Sequence, residues 1–72
     1  MNIMNTLTVS QKGKHCGEIR FHIKTESAEI TPELFARAER ELIAHPDHQN
    51  GYFDILLVDG NGAELDFETH IL

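Results

Sequence analysis

Apolar and polar residues alternate near both ends of the chain, while in the middle the apolar positions recur every three to four residues. Thr6-Leu-Thr-Val-Ser10 puts Leu7 and Val9 on one face, and strict period two with β-branched residues predicts a strand. Gln11-Lys-Gly-Lys14 has the glycine and polarity of a hairpin turn. The alternation resumes from Cys16 to Thr25, with Ile19, Phe21 and Ile23 on one face and Glu18, Arg20, His22 and Lys24 on the other. Two antiparallel strands follow, one face buried and one wet.

The central stretch, Ile30 to Pro46, is the only one with helical character. Thr31 is a good N-cap and Pro32 falls at the first helical position, where a missing N–H costs nothing. Ile30 and Phe35 have the spacing of a hydrophobic staple. Leu34, Phe35, Ala38 and Leu42 form one apolar stripe, Glu33–Arg37 and Arg37–Glu41 are i,i+4 pairs, and Pro46 ends the helix at or just before His45. Ile43 falls outside the stripe, exposed unless the C-terminal tail or a second subunit covers it.

Asn50-Gly51 closes a polar loop, and Tyr52-Phe-Asp-Ile-Leu-Leu-Val58 is the most apolar segment. Phe53, Ile55 and Leu57 are expected to face the helix, with Tyr52, Asp54, Leu56 and Val58 opposite. Apolar residues on both faces indicate a central strand. Asp59-Gly-Asn-Gly62 is a tight turn with several positions able to take positive φ. A fourth strand from Ala63 to Glu68 then places Leu65 and Phe67 inward and Glu64, Asp66 and Glu68 outward, and residues 69–72 extend it or fold over an edge. The order β-β-α-β-β predicts an α+β two-layer sandwich, a four-stranded mainly antiparallel sheet with one helix (about 31–45) on one face. The 72 residues form one domain, with residues 1–5 expected to fray.

Charge changes the picture of the uncovered face. The chain carries a net −6; all six cations lie in residues 1–40 beside five acids, and residues 41–72 hold seven acids and no Lys or Arg. Phosphates need cations, so direct nucleic-acid binding by the C-terminal half is not expected, whereas docking on a basic protein surface is. The plainer reading of the same acids is solubility. The single cysteine leaves no internal disulfide, and there is no apolar run of membrane-spanning length and no signal-like start, so the expected compartment is the cytoplasm and no membrane contact is foreseen.

Five histidines invite a metal reading. His45-Pro-Asp-His48 sets two imidazoles three apart, but Pro46 leaves their geometry unspecified, and a third ligand would have to come from His15, Cys16, His22 or His70. Loop histidines without a fixed ligand set are ordinarily solvated, so no cofactor is expected, with His45 and His48 the first ligands if a metal binds. Asp59-Gly-Asn-Gly-Ala-Glu departs from a calcium loop at its fifth, sixth and twelfth positions. Adjacent His15 and Cys16 would point to opposite faces of a strand, so they do not make a base–nucleophile pair, and Cys16 reads as a small buried or edge residue. The carboxylates of Glu64, Asp66 and Glu68 would lie on an open face without the desolvated pocket that acid–base catalysis needs. An enzyme is not expected.

What these patterns favour is a small acidic, non-catalytic protein-interaction module. Its apolar anchor would be Tyr52, Leu56 and Val58, with Asp54 among them, and its charge Glu64, Asp66 and Glu68. In this reading it is an inhibitor or regulator docked on a basic, nucleic-acid-binding protein; phage and mobile-element accessory proteins often have this size and charge, which is an argument by analogy. The alternatives are a structural homodimer, its sheet faces or edges paired through cations on the second strand and anions on the fourth, and a histidine-based metal-binding or pH-responsive protein.

Overall fold

The computed structural model describes residues 4–15 and 17–72, so the expectations for Cys16 and for residues 1–3 lie outside the described residues. The chain runs β1 (Asn5–Lys12), β2 (Glu18–Thr25), α1 (Pro32–Ile43), β3 (Tyr52–Val58) and β4 (Glu64–Ile71). The strands form one antiparallel sheet in the order β2-β1-β3-β4, and α1 covers one face, so the expected α+β sandwich is the observed one. The two central strands come from opposite halves of the chain, which leaves β2 and β4 as the edges.

Helix α1 begins as its sequence dictates. Thr31 is extended (φ −78°, ψ 162°) and its Oγ1 accepts from the Leu34 N–H at 3.1 Å, with Pro32 entering the first turn. Ala44 closes the helix, its N–H donating to the Arg40 carbonyl. Leu34, Ala38 and Leu42 are buried against Leu7, Val9, Ile19, Ile23, Phe53, Ile55 and Leu57, with Ile30 and Phe35 half-buried at the margin. Full burial of such a side chain contributes about 1.5–3 kcal/mol, so this stripe holds the helix on the sheet. Arg37 takes Glu41 as its partner at 2.8 Å, and Ile43 stays 48% exposed, uncovered by the C-terminal residues.

β1 differs from expectation at both ends. Asn5, expected to fray, opens the strand and its Nδ2 donates to the Ser27 carbonyl at 2.8 Å. Gln11, read as a turn residue, lies within the strand opposite Ile19 and is buried. Its Nε2 donates to the Gln49 carbonyl at 2.7 Å while its Oε1 accepts from the Gln49 N–H at 3.1 Å. A primary amide reproduces both hydrogen bonds of a peptide group, so it can be buried without an unpaired polar atom.

β4 departs from expectation more deeply. Val58 faces Glu64, but Leu57 faces Asp66, so Leu65 is an extra residue in a β-bulge. Because side chains alternate with period two, one inserted residue exchanges the two faces for everything beyond it. Ile55 and Phe53 on the helix side are therefore paired with Glu68 and His70, while Leu56 and Tyr52 on the open side are paired with Phe67 and Ile71. The assignment of Phe67 inward and of Asp66 and Glu68 outward is thus corrected. Leu65 itself is 39% exposed. In the turn before it Gly62 alone takes positive φ (87°), and Asp59 Oδ1 accepts from the Asn61 and Ala63 N–H groups.

Candidate interaction surface

The open sheet face is built by alternation from all four strands. β1 contributes Thr6, Thr8 and Ser10 along its middle, and β2 contributes Arg20, His22 and Lys24 opposite them. Hydroxyls and basic side chains are tied together: Lys24 Nζ donates to Thr6 Oγ1 at 2.8 Å, and His22 Nδ1 lies 3.0 Å from Thr8 Oγ1. Arg20 pairs with Glu18 of the same strand at 3.0 Å. This half of the face is polar and occupied with itself.

The other half is apolar. Leu56 and Phe67 are cross-strand neighbours, as are Tyr52 and Ile71, and Tyr52, Phe67 and Ile71 are each more than half exposed. Asp54 and Thr69 sit between the two pairs, joined by a 2.8 Å hydrogen bond from Thr69 Oγ1 to Asp54 Oδ1. A shallow groove of about 410 Å³ runs across the middle of the face, lined by Arg20, His22, Thr8, Ser10, Leu56 and Phe67 with Asp54 at one side. Exposed aromatic and aliphatic side chains grouped around a polar pair on an uncovered sheet have the composition of an interface centre.

The sequence-derived site residues therefore divide. Tyr52, Asp54, Leu56, Val58 and Glu64 share the open face. Asp66 and Glu68 do not join them, because the bulge sends both to the helix side. There Asp66 Oδ2 accepts from the Ile30 N–H at 3.2 Å and Oδ1 from the Phe67 N–H at 2.9 Å, tying the entry of α1 to the sheet edge. Glu68 Oε1 lies 2.6 Å from His70 Nε2, and the His70 ring packs 4.3 Å from Phe35 and 5.8 Å from Phe53, centroid to centroid. Two of the three carboxylates are thus engaged within the molecule. Phe67 and Ile71, which sequence reasoning left out, take their place on the open face. The signal for them was faint: an unbroken alternation through the turn hides a single inserted residue.

The loop histidines have their own partners. His45 Nδ1 accepts from the Asp47 N–H at 3.2 Å, and His48 Nδ1 lies 2.7 Å from the His45 carbonyl oxygen. A carbonyl only accepts, so His48 carries its proton on Nδ1, whereas neutral His45 carries it on Nε2 and offers no lone pair outward. Among the described residues no group of three His, Cys, Asp or Glu side chains is placed to hold a metal ion, and no helix is long and apolar enough to cross a membrane. Comparison of the chain with protein-family models, curated proteins and solved structures finds no match.

Proposed function

We propose that the protein is a non-catalytic protein-interaction module that docks through the open face of its sheet. The observation that carries this reading is the exposure of Tyr52, Phe67 and Ile71, with half-buried Leu56 beside Phe67, on a face that α1 leaves uncovered. Apolar surface of that kind is stabilised when a partner removes it from water, at about 25 cal/mol per Å² of area buried. The net −6 charge and the cation-free C-terminal half support a protein over a nucleic acid as the partner. The carboxylates contribute less than their sequence positions imply, since Asp66 and Glu68 already have partners at the helix side; Glu64, opposite Val58, is the one of the three on the open face.

Affinity capture from cells tests the reading, with the wild-type chain and Phe67→Glu compared as bait. The expected result is a protein retained by wild type and lost with Phe67→Glu, while both chains keep the same circular dichroism and melting behaviour. Equal retention by the two would end the open-face reading.

A further inference from the structure

The two sheet edges are protected very differently. β2 shows solvent a run of Glu18, Arg20, His22 and Lys24, and charged side chains are a common means of keeping an edge from pairing with another strand. β4 is equally long, contains no Lys, Arg or Pro, and sets Phe67, Thr69 and Ile71 in a row along its open side. The direction of its backbone groups follows from one bond. The Leu72 N–H donates to the Gly51 carbonyl at 2.9 Å, so residue 72 turns its backbone toward the β3 side. Alternation along an antiparallel strand then turns Asp66, Glu68 and His70 the same way, and leaves the N–H and C=O groups of Phe67, Thr69 and Ile71 pointing out from the edge.

We infer that β4 pairs with β4 of a second copy of this chain, antiparallel about a two-fold axis centred on Thr69, making one continuous eight-stranded sheet. Charge and shape choose the register. Centred on Thr69, Phe67 lies opposite Ile71 of the other copy and Glu68 opposite its His70, each pair occurring twice, with Thr69 opposite Thr69. Aromatic–β-branched and Thr–Thr pairs are favourable cross-strand combinations, and a carboxylate opposite an imidazole can accept its ring N–H. Centring on Glu68 sets two carboxylates face to face, centring on His70 sets two imidazoles face to face, and centring on Phe67 opposes Asp66 to Glu68. The bulge at Leu65 lies just beyond the seam and bends the strand away, which limits pairing to residues 67–71. A five-residue seam of about 16 Å is short, so association is expected in the micromolar range or weaker, below that of a standard-size interface. The seam also brings the Phe67 and Ile71 rows of the two copies side by side on the open face.

The test follows solution mass by sedimentation and amide hydrogen exchange by NMR, on the wild-type chain from micromolar to millimolar concentration. A dimer is expected at the upper end, with exchange at Phe67, Thr69 and Ile71 slowing at least about tenfold as it forms. Glu68→Lys and His70→Glu supply the register test: the first removes the carboxylate that faces the imidazole across the seam, and the second sets two carboxylates opposite each other. Each is expected to associate less than wild type, and their equimolar mixture to recover a heterodimer. A monomer at every concentration overturns the inference, as does a dimer in which those three amides exchange at an unchanged rate. Two folded variants that fail to recover on mixing overturn the Thr69 register. The seam lies at the edge, so its failure leaves the open-face reading to be decided by the capture experiment alone.

Discussion

The two hairpins of this sheet carry similar sequence patterns and obey them differently. β1 and β2 pair through eight consecutive positions from Asn5–Thr25 to Lys12–Glu18 without a break, and every residue assigned to the core or the wet face by alternation lies where the pattern puts it. β3 and β4 pair through a ladder interrupted at Leu57 and Val58, and the alternation of β4, equally regular to the eye, points the wrong way from Asp66 onward. Period two tells which residues of a strand share a face. It does not tell which face, because that depends on every residue between the strand and its partner. In β1–β2 the covered face is fixed independently on each strand by an apolar row. In β4 both rows are mixed, one holding Asp66, Glu68 and His70 and the other Phe67, Thr69 and Ile71, so no apolar row exists to resist the slip.

The largest loss is expected at the residue that β3 commits fully to the core. Phe53 is buried beneath Phe35 and His70, and Phe53→Ala is expected to cost about 3–5 kcal/mol in urea unfolding. A loss of that size is a large share of the stability of a domain this small. The next test separates two carboxylates that the sequence treats as equals. Asp66→Ala removes the acceptor of the Ile30 and Phe67 N–H groups and should lose about 1–2 kcal/mol, whereas Glu64→Ala should change stability by no more than about 0.5 kcal/mol. Equal losses would mean that Asp66 does not hold the entry to α1. A small effect is expected at Phe67 too. Because it is 51% exposed on the open face, Phe67→Ser should cost less than about 1 kcal/mol in the same assay. A loss approaching that of Phe53→Ala would return Phe67 to the core and remove the bulge from the account.

Much of the fold was legible because several local signals agreed. Thr31, Pro32 and Pro46 punctuate the helix, the Leu34–Ala38–Leu42 stripe gives its buried face, and the apolar density of Tyr52–Val58 marks a central strand. The strand ends were less legible. Gln11 looks like turn chemistry, and only its encounter with the backbone of Gln49, 38 residues away, makes it a core residue. The surface was legible by half. Tyr52, Leu56 and Val58 were found because their faces are fixed by Phe53, Ile55 and Leu57 next to them, but Phe67 and Ile71 depended on a register that no nearby residue declares. Asp66 likewise has a partner, the Ile30 N–H, that no local pattern announces.

Gln11 also gives the molecule a chemical lifetime. While the amide is clamped against Gln49 and 3% exposed, water has little access to it, so hydrolysis there must wait for that end of the sheet to open. Deamidation during such an opening would leave a carboxylate that still accepts from the Gln49 N–H but repels the Gln49 carbonyl, and burying that charge again is costly. Each such event would be one-way, so loss of this one amide would part the β1–β2 turn from the loop before β3 for good.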